Sequence, residues 1–209
     1  MPTEQGFDAI LFDVGGVLLT NGWDHTERQA AYAHFGLNEA EVAEIEARHA
    51  GPYDLLERDA LTLDEFLAEV IFFKARGFTA EDFQRVMLEQ SKLLGDSGLA
   101  VLRELAGHGD WLLGLLNNES RALHQFRMDR FGIAAYVDVQ LSSCYLGLRK
   151  PEAAMYQRAV DILGCGPERI LFIDDRTVNT SAAEELGITA IVFTGEASLR
   201  LRLAELGVV

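Results

Sequence analysis

The sequence predicts an α/β protein in which a parallel sheet is covered on both sides by helices and a helical segment is inserted after the first strand. Three observations lead there. Short, continuous apolar runs recur along the chain, as strands buried on both faces require. Helical patterns separate most of them, and strand alternating with helix implies parallel pairing. The interval from about Asn21 to about Leu94 is instead rich in Ala, Glu and Leu at helical spacing, with almost no β-branched runs.

The first run, Ala9-Ile10-Leu11-Phe12, stops at Asp13 and meets Gly15-Gly16, which suits a buried strand feeding a tight turn. Similar runs lie at Trp111 to Leu116, Ile170 to Ile173 and Ile188 to Phe193. Helical patterns cover Gly98 to Ala106, Pro151 to Leu163 with Pro151 at the first helical position, and Val178 to Leu186. Within the inserted interval, Thr62 followed by Glu65 forms a capping box that opens a helix through Phe72, and Thr79 followed by Asp82 forms a weaker one. With no internal repeat or flexible linker, the interval reads as a small helical subdomain leaning over the sheet.

Two large independent units are excluded by a length of 209 residues, which fits one sizeable domain with a modest insertion. Hydrophobic residues at 49% supply a core, so the chain is not disordered. A net charge of −15 repels phosphate backbones and anionic lipid, so neither nucleic acid nor a membrane is expected as a partner. Cys144 and Cys165, the only two cysteines, lack disulfide or zinc spacing and fit a reducing compartment. The polar start, Met1 to Gly6, has no basic n-region, and Asp13 breaks the first apolar run, so the protein is expected to be cytoplasmic.

Ligands of open parallel sheets bind beyond the carboxyl ends of the strands. Three of the four runs end in polar chemistry: Asp13, then Asn117-Asn118, then Asp174-Asp175, while Lys150-Pro151 opens a helix near the same rim. Taken singly, Asp13 reads as a turn former, Gly15-Gly16 as a tight turn, Asn117-Asn118 as loop or cap residues and Lys150 as a solvated lysine. The pair Asp174-Asp175 is different, because two carboxylates next to an apolar core stay ionised only with a cation or several donors.

Together these residues match four ordered signatures. They are Phe12-Asp13-Val14-Gly15-Gly16-Val17-Leu18, Leu115-Leu116-Asn117-Asn118, Gly147-Leu148-Arg149-Lys150-Pro151, and Phe172-Ile173-Asp174-Asp175 with Asn179 one turn on. In these motifs the chain resembles the haloacid dehalogenase-like hydrolase superfamily over nearly its whole length. The resemblance implies a Rossmann-like core (residues 1–20 and 95–209) with an inserted helical cap (residues 21–94). It also implies a magnesium-dependent phosphatase of small phosphorylated metabolites, with Asp13 as nucleophile. Asp13, the Gly15 carbonyl and an acid of the Asp174-Asp175 pair would be the metal ligands, Lys150 would neutralise the phosphoryl oxygens, and Asn117, Asn118 and Gly16 would help bind them.

Two positions depart from the family pattern. Gly15 stands where the phosphatases carry a second aspartate, the general acid, so leaving groups that depart unaided are favoured, such as those of sugar 1-phosphates, acyl phosphates and aryl phosphates. Asn117 stands where Ser or Thr is usual. Asp24 or His25 could supply the missing proton, although a surface histidine on a cap helix is the plainer reading of His25. Trp23, Phe35, Tyr53, Phe72 and Phe73 are expected to build the cap's own core, with Trp23 near enough in sequence to line the site. The alternatives are a metal-free 2-haloacid dehalogenase, or a catalytically weak protein that binds a phosphorylated ligand and regulates a partner.

Overall fold

The computed structural model describes residues 6–209; residues 1–5, part of the polar start, lie outside the described residues. Five strands form one parallel sheet: β1 (Ala9–Phe12), β2 (Leu112–Asn117), β3 (Val139–Ser142), β4 (Ile170–Asp174) and β5 (Thr189–Val192), in the order β3-β2-β1-β4-β5. The continuous apolar runs follow from burial on both faces. Ile10 and Phe12 pack on one side with α5 (Leu99–His108) and α10 (Glu196–Glu205). Ala9 and Leu11 pack on the other with α8 (Ala153–Leu163) and α9 (Thr177–Glu184). The remaining core helices are α6 (Arg121–Phe131) and the short α7 (Ser143–Leu146).

Four sequence-predicted runs become β1, β2, β4 and β5, whereas β3 has no counterpart among them. Its residues, Val-Gln-Leu-Ser, form a short edge strand with no apolar run to announce it. Pro151 also differs from expectation: α8 begins at Ala153 behind the N-cap Glu152, and Pro151 precedes the helix across a cis peptide bond.

Between β1 and α5 the chain forms α1 (His25–His34), α2 (Glu39–Glu57), α3 (Leu63–Val70) and α4 (Ala80–Glu89). The Thr62/Glu65 capping box is present and opens α3, which ends at Val70 rather than Phe72; Thr79 Oγ1 accepts from Asp82 N at the start of α4. These helices bury their own apolar cluster, with Trp23 packed edge-on to Tyr32 and Phe83. Phe35, Tyr53, Phe72 and Phe73 pack against it half-buried.

The two chain crossings between these helices and the sheet run side by side. Thr20 N donates to Lys92 O at 2.9 Å, and Lys92 N donates to Thr20 Oγ1 at 3.1 Å. Arg127 of α6, wholly buried, clasps both: Nη2 donates to Thr20 O at 2.7 Å and Nε to Ser91 Oγ at 3.0 Å, while Nη1 pairs with buried Glu119. Gly22, at φ +82°, makes room, since a Cβ there would fall 1.9 Å from Arg127 Nη2. A second seam lies at the C-terminal end of α2, where Arg58 pairs with Glu152, Arg149 with Asp54 and Arg121 with Asp59.

No helix among the described residues is long and apolar enough to cross a membrane. Two outcomes follow from this packing. Arg127→Met strands Glu119 without its cation and is expected to lower the unfolding free energy by about 3–5 kcal/mol, read from urea melts; a loss below 1 kcal/mol contradicts the clasp. Burial, with a smaller push from Arg28, moves the His49 imidazole of α2 from 6.5 down to about 4. The unfolded chain therefore binds this proton throughout a window in which the folded protein does not, and stability falls as pH drops through it, by up to about 3 kcal/mol. His49→Gln is expected to flatten that part of a stability-versus-pH curve, and an unchanged slope refutes the assignment.

Candidate active site

The parallel register builds the site. Phe12 of β1 lies beside Ile173 of β4, so Asp13 and Asp174 follow at neighbouring strand ends, and Asp13 N donates to Ile173 O at 2.8 Å. Sheet order reverses here, with β2 and β3 on one side of β1 and β4 and β5 on the other, the usual position of a ligand crevice. Carboxylate oxygens of Asp13, Asp174 and Asp175 come within 4.8 Å of one another.

Lys150 reaches in from the segment before α8 and is buried, its Nζ 3.0 Å from Asp13 Oδ1 and 2.6 Å from Asp174 Oδ2. Asn118 fixes its backbone: Lys150 N donates to Asn118 Oδ1 and Asn118 Nδ2 donates to Lys150 O, each at 2.9 Å. Asp174 is fully engaged, accepting also from Arg176 N at 2.8 Å and from Asn179 Nδ2 at 3.0 Å. Asp175 is not, because its Oδ1 is buried without a partner. Asp13 Oδ1 accepts from Val14 N at 2.8 Å, and its Oδ2 accepts no hydrogen bond among the described residues.

Three carboxylates here face one ammonium. Burial pushes the Asp13 carboxyl up to about 8; Lys150 pulls it down and Asp174 pushes it further up. Burial and Asp174 raise Asp175 as well. The shortage of positive charge and the orphaned Asp175 oxygen fit a hard divalent cation with oxygen ligands.

A cavity of about 370 Å³ opens from this corner towards the inserted helices, and Asp13, Gly15, Asn118 and Lys150 line its floor. Other sequence-predicted residues are placed differently. Asn117 is fully buried at the end of β2 and does not line the cavity; its Nδ2 lies 3.4 Å from His124 Nδ1, inside a polar pair that continues from His124 Nε2 to Gln140. Gly16 spends its N–H on Leu19 O at 2.8 Å, and its φ of +75° serves the approach of Asp175, whose Oδ2 would be 2.2 Å from a Cβ. His25 is exposed on α1 and away from the cavity. Asp24 lines it, but its oxygens accept from His25 N and from Arg176 Nη2.

Motifs gave no sign of the lining that α2 contributes. His49, Tyr53 and Glu57 follow one another at a spacing of four along α2, and with Trp23 they line the same cavity as Asp13. That spacing, one face of a helix, was the available signal. Tyr53 and Trp23 thus serve both the helical cluster and the cavity.

Among known proteins, flavin mononucleotide hydrolase 1 of Arabidopsis thaliana is 27% identical over 199 residues, covering 95% of this chain and 77% of that one. D-ribitol-5-phosphate phosphatase of Bacteroides thetaiotaomicron is 26% identical over 192 residues, covering 85% and 87%. The crystal structure of a HAD family enzyme from Bacteroides thetaiotaomicron superposes with a TM-score of 0.78 at 20% identity, over 91% of this chain and 95% of that one, and has the same fold. A sequence model for haloacid dehalogenase-like hydrolases matches residues 7–187. That span runs from just before β1 past the end of α9 and takes in Asp13, Lys150, Asp174 and Asp175, so the chain belongs to the haloacid dehalogenase-like hydrolase family and is a hydrolase.

Proposed function

We propose that the protein is a magnesium-dependent phosphatase of small phosphorylated metabolites, working through an aspartyl-phosphate at Asp13, with residues 21–94 as a cap over a core of residues 1–20 and 95–209. The observation that carries this reading is the convergence of Asp13, Asp174 and Asp175 around Lys150 at one end of a metabolite-sized cavity. The names of two relatives, a flavin mononucleotide hydrolase and a D-ribitol-5-phosphate phosphatase, support it.

Asp13, the carbonyl of Gly15 and Asp175 would hold the cation. Asp175 is preferred over Asp174 because Asp174 already accepts from three donors, Lys150 Nζ, Arg176 N and Asn179 Nδ2, while Asp175 keeps an unpartnered oxygen. When bound, magnesium neutralises excess carboxylate charge and draws a phosphoryl group towards the site. Lys150 holds Asp13 Oδ1 still and offers its charge to the phosphoryl oxygens. Asp13 Oδ2, free of donors, attacks phosphorus; the bond to the leaving oxygen breaks as the Asp13–phosphorus bond forms. Water then cleaves the acyl phosphate, releasing inorganic phosphate and restoring the carboxylate. Asn118 acts by positioning Lys150 rather than by binding phosphate through its amide.

No carboxyl group stands where the second aspartate of related phosphatases would be. The site of a Cβ on Gly15 is only 3.0 Å from Asn21 Oδ1, so the Asn21 carboxamide fills that space, and an amide hydrogen-bonds without giving up a proton. Departure of the leaving group is therefore unassisted, which supports sugar 1-phosphates and other esters of acidic hydroxyls as substrates.

A phosphate-release screen over phosphometabolites, with and without magnesium, tests the reading. Turnover is expected to require the metal, to vanish on chelation and return on adding it back, and to be lost in Asp13→Asn. Metal-free turnover of a 2-haloacid, or activity in Asp13→Asn, overturns it. Within the screen, an aryl or sugar 1-phosphate is expected to exceed glycerol phosphate in kcat by about 10² or more; equal rates contradict unassisted departure.

A further inference from the structure

One amide in the cavity lining is uncommitted. Of the three asparagines there, Asn118 exchanges hydrogen bonds with the Lys150 backbone and Asn179 donates to both oxygens of Asp174, whereas the Asn21 side chain makes no hydrogen bond among the described residues. Asn21 is partly exposed, and neither of its polar atoms is among those sealed from solvent. Its oxygen is turned to Gly15, 3.0 Å from where a Cβ would stand, and Gly15 is two residues from Asp13 and in the same lining. The backbone on either side of Asn21 is fixed: Thr20 N donates to Lys92 O, Thr20 O accepts from Arg127 Nη2, and Gly22 packs against the same guanidinium. We infer that Asn21 orients the water that hydrolyses the aspartyl-phosphate at Asp13, its Oδ1 accepting one of the water's hydrogens. The inference rests on the phosphatase reading for the existence of that intermediate.

The chemistry of the lining favours this step over the first. The ester oxygen of a leaving group has no hydrogen to give Asn21 Oδ1, whereas the later nucleophile, water, has two. Apart from Asp13, every carboxylate lining the cavity is ion-paired: Asp24 with Arg176, Asp54 and Glu57 with Arg149, and Glu119 with Arg127. None of them is free to act as a base, and an amide orients water without taking its proton, as glutamine does for the attacking water of GTPases. The step balances without a base. The water oxygen bonds to phosphorus, and the bond from phosphorus to Asp13 breaks with its electron pair returning to the carboxylate. One water proton stays on the new hydroxyl and the other passes to a phosphoryl oxygen, giving dihydrogen phosphate. A side chain on a fixed backbone suits this task, because alignment of the reacting atoms is all that it supplies.

Rapid-quench mass spectrometry of the magnesium-loaded enzyme with 4-nitrophenyl phosphate reads the decay of phosphorylated Asp13 directly. Asn21→Leu, which keeps the shape of the side chain and removes its amide, is expected to accumulate the phosphorylated enzyme and to slow its decay about 10- to 100-fold. The value of kcat/KM, which ends at formation of that intermediate, is expected to stay unchanged, and this also shows that the variant is folded. Asn21→Asp, which retains an acceptor oxygen, is expected to restore the decay. Phosphate release without accumulation in Asn21→Leu, an equal slowing in Asn21→Asp, or a loss of kcat/KM parallel to the loss of decay rate overturns the inference and leaves the phosphatase reading standing. If no form of the enzyme releases phosphate or carries it on Asp13, the phosphatase reading fails and the inference falls with it.

Discussion

Excess negative charge in one buried corner governs this molecule. Asp13, Asp174 and Asp175 share a corner with a single ammonium, Lys150, and the apolar strands below them provide no further compensation. Such a cluster is costly unless paired, and the fold concentrates donors on one member, Asp174, while leaving oxygens of Asp13 and Asp175 open. The division is chemical. The satisfied acid anchors the lysine, and the unsatisfied oxygens belong to the other two.

Everything around the corner serves to hold it. The β1/β4 register sets Asp13 against Asp174, Gly16 lets Asp175 come close, and Asn118 locks the backbone of Lys150. Arg127 then ties both chain crossings to α6, the Arg58 and Arg149 pairs tie the end of α2 to the segment before α8, and the Arg121 pair ties it to the start of α6. These contacts close the inserted helices over the strand ends, and the cavity is the space left between. Asp13 and Lys150 give one part of its lining charge, and α2 and Trp23 give another part that is polar and aromatic.

Strand–helix alternation, the inserted helical interval and the acidic residues at the strand ends were all legible in the chain, because each is a local pattern: an apolar run, a helical period, a carboxylate where the run stops. Local patterns fail where a residue's partner is far away in sequence. The edge strand β3 lacks an apolar run, since a strand paired on one side needs no continuous hydrophobic stretch. Asn117 looked like a phosphate ligand from its place after β2, yet its side chain turns inward to His124, a residue seven positions on. Arg127 and Glu119 carry no motif at all, and their value comes from Thr20 and Ser91, far from both in the chain.

Order and type of residues were thus enough for the α/β architecture and the family, since these depend on short stretches and their succession. Which acid keeps a free oxygen, what fills the space beside Gly15, and which side chains of α2 line the cavity were decided only when the chain folded. Hydrogen bonds and steric exclusion act between neighbours in space, and residues such as Glu57 and Asp13 become neighbours of one cavity solely through the packing of helices onto strands.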